Sequence, residues 1–434
     1  MNLGIMEENL KRIKVDQRVN EIAENFRVIG KDPKIQKVCD GVYVAMNYGM
    51  GSVIFFDTEE GLVLVDASDS RKVARKIKTD IGELLNKPVK KIIYTHSHGD
   101  HWLGAAEFVG PGTDVIAQRG FMDWFDYGRR LAGKDLRQNI IQFNLDLPVD
   151  QRHIKIILDR KDEYKPILPN VLVDNSYMFT LGGLDFKIYH MESETTDHLM
   201  VWVPQLEMLC CGDLYYASFP NISSPMKVVR SAHKWYQSLE QAMLLEPRYL
   251  VPSHTMPIEG KEKVAEVLRD YRDAVKFVDD EVVKALNQGK TLEEMRSSIT
   301  SLPDHLAGKP YLLELYGKVT WAVEGVFRVY SGWYEGNPTW LDSLPARERN
   351  AELIDLMGGP DKILARAVQK QDEDMHQLAL ELCETVLTVQ PDNPEALEIK
   401  IFSLQVLGMN TFNSNSRAFY LGEAARLCQK LARL

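Results

Sequence analysis

Cysteine is scarce in this chain of 434 residues. There are five, Cys39, Cys210, Cys211, Cys383 and Cys428, an odd number with no C-x-x-C pair. That argues against a disulfide framework and points to reduced thiols in a cytoplasm. No apolar run is long enough to cross a bilayer, so stable membrane insertion is not expected. The start, Met1-Asn2-Leu3-Gly4-Ile5-Met6-Glu7-Glu8, turns charged before a signal-peptide core could form, which again favours the cytoplasm. Basic residues are outnumbered, 52 against 62 acidic ones, and no basic domain stands out. A nucleic-acid partner is therefore not expected. An acidic protein that processes an anion needs a local positive site, and metal ions supply one.

Histidine is also uncommon, ten in all, yet three of them fall within Thr95-His96-Ser97-His98-Gly99-Asp100-His101. The apolar run from Val89 to Tyr94 precedes this stretch and reads as a strand, so the histidines sit where a strand gives way to a loop. Alternate residues of an extended segment face one side, which pairs His96 with His98, and the following turn brings in Asp100 and His101. Nitrogen and oxygen donors gathered in this way suit zinc, with iron and manganese as alternatives.

Around the motif the pattern is mixed α/β. Residues up to about 35 read as a helical arm with apolar positions at Leu10, Ile13, Val19, Ile22 and Phe26. Short β-rich runs follow at 42–46, 52–56 and 61–66, then a helical period over 70–85. Beyond the motif a helix is expected at 104–109. The stretch 121–169 has no clean period and reads as an insertion bordering the active site. Strands return at 171–173, 177–179, 184–189, 200–203 and 208–211, with a helix over 231–245 and a last strand at 249–252. From about 261 the β signal is gone. Long helices are expected at 263–287 and 311–330, and a helix pair at 374–389 and 394–407, joined by Pro391-Asp392-Asn393-Pro394, is much like a tetratricopeptide unit. The domains expected are 1–35, 36–260 and 261–434.

The motif His96-x-His98-x-Asp100-His101 resembles the metal-binding signature of the metallo-β-lactamase fold. The resemblance implies an αββα sandwich with metals at one edge, here followed by an all-α domain. It also implies three further ligands, each at a strand end. Counting back from Pro204 places Glu194 where most relatives carry histidine, with His190 and His198 as alternatives. Asp213 fits the bridging carboxylate and His254 the last ligand. The implied centre has His96, His98 and Glu194 on one metal, Asp100, His101 and His254 on the other, and Asp213 between them. Asp100 doubles as the group that orients the attacking water. Cys210 and Cys211 read as small buried residues rather than ligands.

The segment Arg328-Val329-Tyr330-Ser331-Gly332-Trp333-Tyr334-Glu335-Gly336-Asn337-Pro338, with Leu356-Met357-Gly358-Gly359 and the helix pair beyond, resembles the dimerisation domain of alkyl sulfatases of that superfamily. The resemblance runs from about Val38 to the C-terminus. It implies a homodimeric hydrolase with two zinc ions per chain that converts an alkyl sulfate ester to an alcohol and sulfate, through a water ionised between the metals. Attack at carbon needs little acid help, whereas attack at sulfur needs a proton for the departing alkoxide. Relatives carry Asn-(apolar)-x-x-Leu-Arg-Gly after the bridging carboxylate, the arginine gripping sulfate. Here the segment is Asn221-Ile222-Ser223-Ser224-Pro225-Met226-Lys227, so Met226 stands at the arginine's place, and Lys227 or Arg230 is the candidate substitute. Long-chain members end in a lipid-binding-like domain that lies beyond the residues here, which makes a shorter or different substrate an open expectation. The alternatives are another hydrolase of this fold (on a thioester, lactone or phosphoester), a di-iron oxidoreductase, and a non-catalytic scaffold. His98 and the lack of a flavin-binding stretch stand against the oxidoreductase, and the full ligand set against the scaffold.

Overall fold

A computed structural model describes residues 4–26, 32–82, 86–147 and 164–434. The chain divides into two compact units, one formed by Val28–Asp135 and Lys155–Trp333, the other by Met1–Arg27, Leu136–Ile154 and Tyr334–Leu434.

The larger unit holds two β-sheets. The first has seven strands in chain order: β1 (Lys34–Cys39), β2 (Val42–Met46), β3 (Val53–Thr58), β4 (Gly61–Val65), β5 (Val89–Ile93), β6 (Asp114–Gln118) and β7 (Val171–Val173). The second has six: β8 (Ser176–Leu181), β9 (Leu184–His190), β10 (Leu199–Val203), β11 (Met208–Gly212), β12 (Tyr249–Pro252) and β13 (Ile258–Glu259), with neighbours again in chain order. Alternation of side chains builds the layers. Val42, Val44, Ile54, Phe56, Val63 and Val65 meet Phe186, Ile188, Val201 and Cys210 between the sheets. Their neighbours Ala45, Val53, Phe55, Leu62 and Leu64 face the other way, onto Ala74, Ile77 and Ile81 of the helix Arg71–Gly82. Cys210 and Cys211 are both fully buried but lie on opposite faces of β11, Cys211 toward Trp235 and Leu239 of the helix Ala232–Met243. The result is the αββα sandwich.

Several elements depart from the sequence expectation. The expected helix at 104–109 is a single 3-10 turn, Ala105–Glu107. The helix expected over 311–330 begins only at Val319, because Pro310–Leu312 forms a separate turn and Glu314 accepts the Val319 N–H at 2.7 Å. The stretch read as an irregular insertion contains two helices, Phe121–Arg130 and Ala132–Phe143, while residues 148–163 of it lie outside the described part. Strand β6 had no forecast. The division at Trp333 also differs from the expected boundary at 260. The helices Lys261–Asn287 and Val319–Ser331 bury Val264, Leu268, Val275, Val323 and Val326 in the same cluster as Trp235 and Leu250, so they cover the outer face of the second sheet.

In the smaller unit the helix pair appears as His376–Val389 and Pro394–Met409, flanked by Pro360–Asp372 and Ser414–Leu431. Asn393 caps the second helix of the pair by accepting the Ala396 N–H at 3.0 Å, and Pro394 sits in its first turn. The N-terminal helix Gly4–Leu10 packs Met6 beside Ile401, Leu404 and Cys428, and Asn9 Nδ2 donates to Gln405 Oε1 at 2.7 Å. Asn144 Nδ2 donates to the Ala418 carbonyl at 3.1 Å. Gly422 makes room for Asn144, since a Cβ there would lie 1.9 Å from Asn144 Oδ1. Among the described residues no helix is long and apolar enough to cross a membrane.

Candidate metal centre

Strand polarity gathers the site. β4 runs parallel to β5, and β11 runs parallel to β12, so Asp66, Thr95, Asp213 and Ser253 all follow the carboxyl ends of strands. Loops leaving such ends are where α/β sheets place ligands. The histidine loop is fixed to the end of β4 by the Ala67 N–H, which donates to the His101 carbonyl at 2.7 Å, and by the 3-10 turn Gly99–His101.

Six of the seven side chains predicted as ligands fall into two groups here, while Glu194 stands beside the second without belonging to it. Asp100, His101 and His254 form one compact group, and His96, His98 and Asp213 another. Asp213 Oδ2 belongs to both neighbourhoods: it lies 3.2 Å from His254 Nε2, 3.6 Å from His101 Nε2 and 3.8 Å from His96 Nε2. Asp100 Oδ2 is 3.4 Å from His254 Nε2 and 3.6 Å from His101 Nε2. Glu194 Oε1 reaches within 4.0 Å of His98 Nδ1 and is paired with Arg230 Nη2 at 2.6 Å. The two alternatives are not in either group. His190 Nε2 pairs with the Thr196 carbonyl at 2.7 Å. His198 Nε2 accepts the Asp213 backbone N–H at 3.1 Å, which supports the carboxylate rather than adding to it.

A buried polar atom with no partner costs about 1–3 kcal/mol, so orphaned atoms mark a missing occupant. His101 Nε2, Glu194 Oε2 and Asp213 Oδ1 are all buried without a hydrogen-bond partner. His101 and Asp213 belong to the two donor groups and Glu194 stands beside His98, and imidazole plus carboxylate is a donor set suited to a divalent transition metal. The residues present fit the group.

Charge is distributed unevenly. Burial drives His98 down to about 3, with the Arg230 and Lys227 cations adding to the fall. Burial opposes the charged form of His254 as well, but Asp213 and Asp100 outweigh it and raise that imidazole to about 9. Burial works against the Asp213 carboxylate too, yet His254 and His101 hold it well below the usual range. Glu194 is lifted to about 7 by burial, against the pull of Arg230.

The residue that sequence reading missed is Asp66. Fully buried, it accepts from the Thr95 N–H (2.8 Å) and Thr95 Oγ1 (3.0 Å), pairs with His101 Nδ1 (2.8 Å) and accepts from Ser253 Oγ (2.5 Å). It thereby ties the ends of β4, β5 and β12 together and sets the His101 ring so that Nε2 faces Asp213. Its φ of 63° is strained for a residue with a side chain. The only signal for it in the sequence was an acid at the end of an apolar strand. His254 is oriented likewise, Nδ1 pairing with the Met50 carbonyl at 2.9 Å.

The three predicted substrate contacts lie on one loop. Arg230 is not free: besides its Glu194 ion pair, its Nε donates to the Glu194 carbonyl at 3.2 Å, which leaves Nη1 buried and unpartnered. Asn221 is fully buried, its N–H on Tyr216 Oη at 2.7 Å and both amide side-chain atoms unpartnered. Burial and the Arg230 charge bring Lys227 down to about 8. Met226 is 38% exposed and carries no charge. Two residues beyond Glu194, Thr196 Oγ1 accepts from Trp124 Nε1 at 2.9 Å, and Tyr127 stacks edge-on to Trp124 at 5.7 Å.

Two family models match: "Metallo-beta-lactamase superfamily" over residues 46–254 and "Alkyl sulfatase dimerisation" over 291–430. A linear primary-alkylsulfatase of Pseudomonas sp. is 32% identical over 389 residues, covering 86% of this chain and 74% of that protein. An (R)-specific secondary-alkylsulfatase of Pseudomonas sp. is 26% identical over 433 residues; the match covers 94% of this chain but only 63% of that protein. Among solved structures, a stereoselective inverting sec-alkylsulfatase from Pseudomonas sp. superposes with a TM-score of 0.88 at 24% identity, over 95% of this chain and 68% of that one, which shows the shared fold.

Proposed function

The chain belongs to the alkylsulfatase branch of the metallo-β-lactamase superfamily, and from that membership we propose that it is a binuclear zinc alkyl sulfatase, cleaving a sulfate ester to an alcohol and inorganic sulfate. The observation that carries the reading is Asp213 Oδ2, a single carboxylate oxygen within 3.8 Å of histidines from both donor groups. His96, His98 and Glu194 would hold one metal and Asp100, His101 and His254 the other, with Asp213 available to both. Two zinc ions there would supply Lewis acidity and lower the pKa of a water to near neutrality. Asp100, beside His254 and His101, would accept a hydrogen bond from that water and orient it. Asn221 Nδ2 and Arg230 Nη1, both buried and unpartnered, are donors for the sulfate oxygens, and the Lys227 ammonium adds positive charge beside them. Trp124 and Tyr127 offer apolar surface to the alkyl part.

The matched dimerisation segment carries exposed Trp333, Trp340 and Leu344, which supports a homodimer. All five cysteines are free, in keeping with a cytoplasmic setting.

The test is sulfate release from a panel of alkyl sulfates of graded chain length, beside a thioester, a lactone and a phosphoester. Sulfate release from at least one alkyl sulfate, faster than turnover of the other classes, is expected; turnover of only the others defeats the proposal. A second expectation concerns pH. Lys227 is charged below its pKa of about 8 and neutral above it. The kcat/KM for an alkyl sulfate should therefore fall as pH rises through 8, and Lys227→Met should remove that limb. The same variant should raise KM by about tenfold or more, since a charge-assisted hydrogen bond contributes about 1.5–3 kcal/mol. An unchanged alkaline limb in that variant would take Lys227 out of the anion site.

A further inference from the structure

The two donor groups are built unequally. Around a tetrahedral zinc with bonds of about 2.0–2.1 Å, donor atoms lie roughly 3.3–3.4 Å apart. The Asp100, His101 and His254 group, with Asp213, already has spacings of 3.2, 3.4, 3.6 and 3.6 Å. It contains two carboxylates, a third (Asp66) stands behind His101, and no lysine or arginine is paired with any of them among the described residues. A cation entering there displaces the proton that His254 shares with Asp213, and then meets negative charge and spacings already near those it needs.

The other group is occupied with itself. His96 Nε2 and His98 Nδ1 hydrogen-bond to each other at 3.0 Å. Asp213 stands 3.8 Å from His96, and Glu194 Oε1, 4.0 Å from His98, is held by the Arg230 guanidinium at 2.6 Å. A metal must part the two imidazoles, share Glu194 with Arg230, and sit in the field of Arg230 and Lys227. Repulsion between a divalent ion and fixed unit charges a few ångströms away, at an effective dielectric near 20, weakens binding by on the order of tenfold or more.

We propose that the two metals load in sequence, the Asp100–His101–His254 site first and the His96–His98–Glu194 site second, and that a sulfate-type oxyanion on Lys227 and Arg230 tightens the second site. This rests on the binuclear reading above. The oxyanion neutralises the cations that repel the second metal, and linkage makes the effect reciprocal: the second metal tightens the anion by the same factor. The protein thus completes its centre in the presence of the ester it cleaves.

The experiment is equilibrium dialysis of the metal-stripped full chain against buffered free zinc, with bound zinc per chain counted by mass spectrometry. It is run at constant ionic strength in chloride and again with inorganic sulfate. Two steps separated by about tenfold or more are expected, with sulfate shifting only the weaker one toward tighter binding. His98→Ala should delete the weaker step and Asp100→Asn the tighter. Lys227→Met, a change at a partly exposed side chain, should narrow the gap and blunt the sulfate shift. Two equal steps, loss of the tight step in His98→Ala, or a weak step indifferent to sulfate would overturn the sequence of loading while leaving a binuclear centre intact. A stoichiometry that stays at one or none would overturn the binuclear reading and this inference with it.

Discussion

Asp213→Ala should lower alkyl sulfate turnover by about 10³-fold or more, because Lewis-acid stabilisation is worth several kcal/mol and each 1.36 kcal/mol is tenfold in rate. Asp213 is the side chain that both donor groups share, so its loss damages both rather than one. The backbone reasons for expecting the fold to survive are specific. Residue 213 follows the end of β11, its side chain belongs to none of the apolar clusters, and the Asp213 N–H that donates to His198 Nε2 remains in the variant. Bound metal per chain should fall together with activity, and the metal-free protein should fold but with a lower Tm, because His254 and His101 lose the carboxylate beside them. Asp213→Asn separates charge from shape: the amide fills the same space but lacks the negative charge that holds His254 and His101. Activity in Asp213→Ala within about tenfold of the parent would remove Asp213 from the centre.

The second large effect is expected at Asp66, which touches no substrate or metal in this account. Asp66→Ala leaves the Thr95 N–H and hydroxyl, His101 Nδ1 and Ser253 Oγ without their acceptor in a fully buried place. Breaking a buried, charge-assisted network by removing one member costs about 3–5 kcal/mol. For a unit of this size that corresponds to a drop in Tm of roughly 6 °C or more. Because His101 then loses the partner that sets its tautomer and direction, metal affinity should weaken by about 10–100-fold. Asp66→Asn, which can still accept from the Thr95 N–H, should recover much of the stability but not the metal affinity. A Tm and zinc affinity both unchanged in Asp66→Ala would show that the histidine loop is held by other means. Ser253→Ala, which deletes one of the four contacts, should sit near the parent.

How much of this was readable beforehand depends on what each residue had to do locally. The histidine loop announced itself because three imidazoles within six residues have no packing explanation. The sandwich was legible wherever strands were apolar on both faces, as in Ser52–Phe56 and Gly61–Val65, since burial on both sides writes a continuous apolar run. Strand β6 escaped because Asp114 and Gln118 bracket only three apolar residues. The helices Phe121–Arg130 and Ala132–Phe143 escaped because they bury few apolar side chains and show aromatic and charged ones to solvent, which blurs the period. Asp66 was invisible as a functional residue: a lone acid after a strand looks like a turn, and only the fold reveals that His101 and Ser253 arrive at the same carboxylate. Arg230 taught the opposite lesson. Sequence offered it as a replacement for the arginine missing at Met226, whereas two of its donors are spent on Glu194, so only Nη1 is left for an anion.

Seven side chains between His96 and His254 are proposed to enclose two metal ions. Crystals grown with zinc and measured on either side of the zinc absorption edge test it most directly. Two anomalous peaks per chain are expected, one among Asp100, His101 and His254, the other among His96, His98 and Glu194, with Asp213 between them. No peak, or peaks away from these side chains, would contradict it.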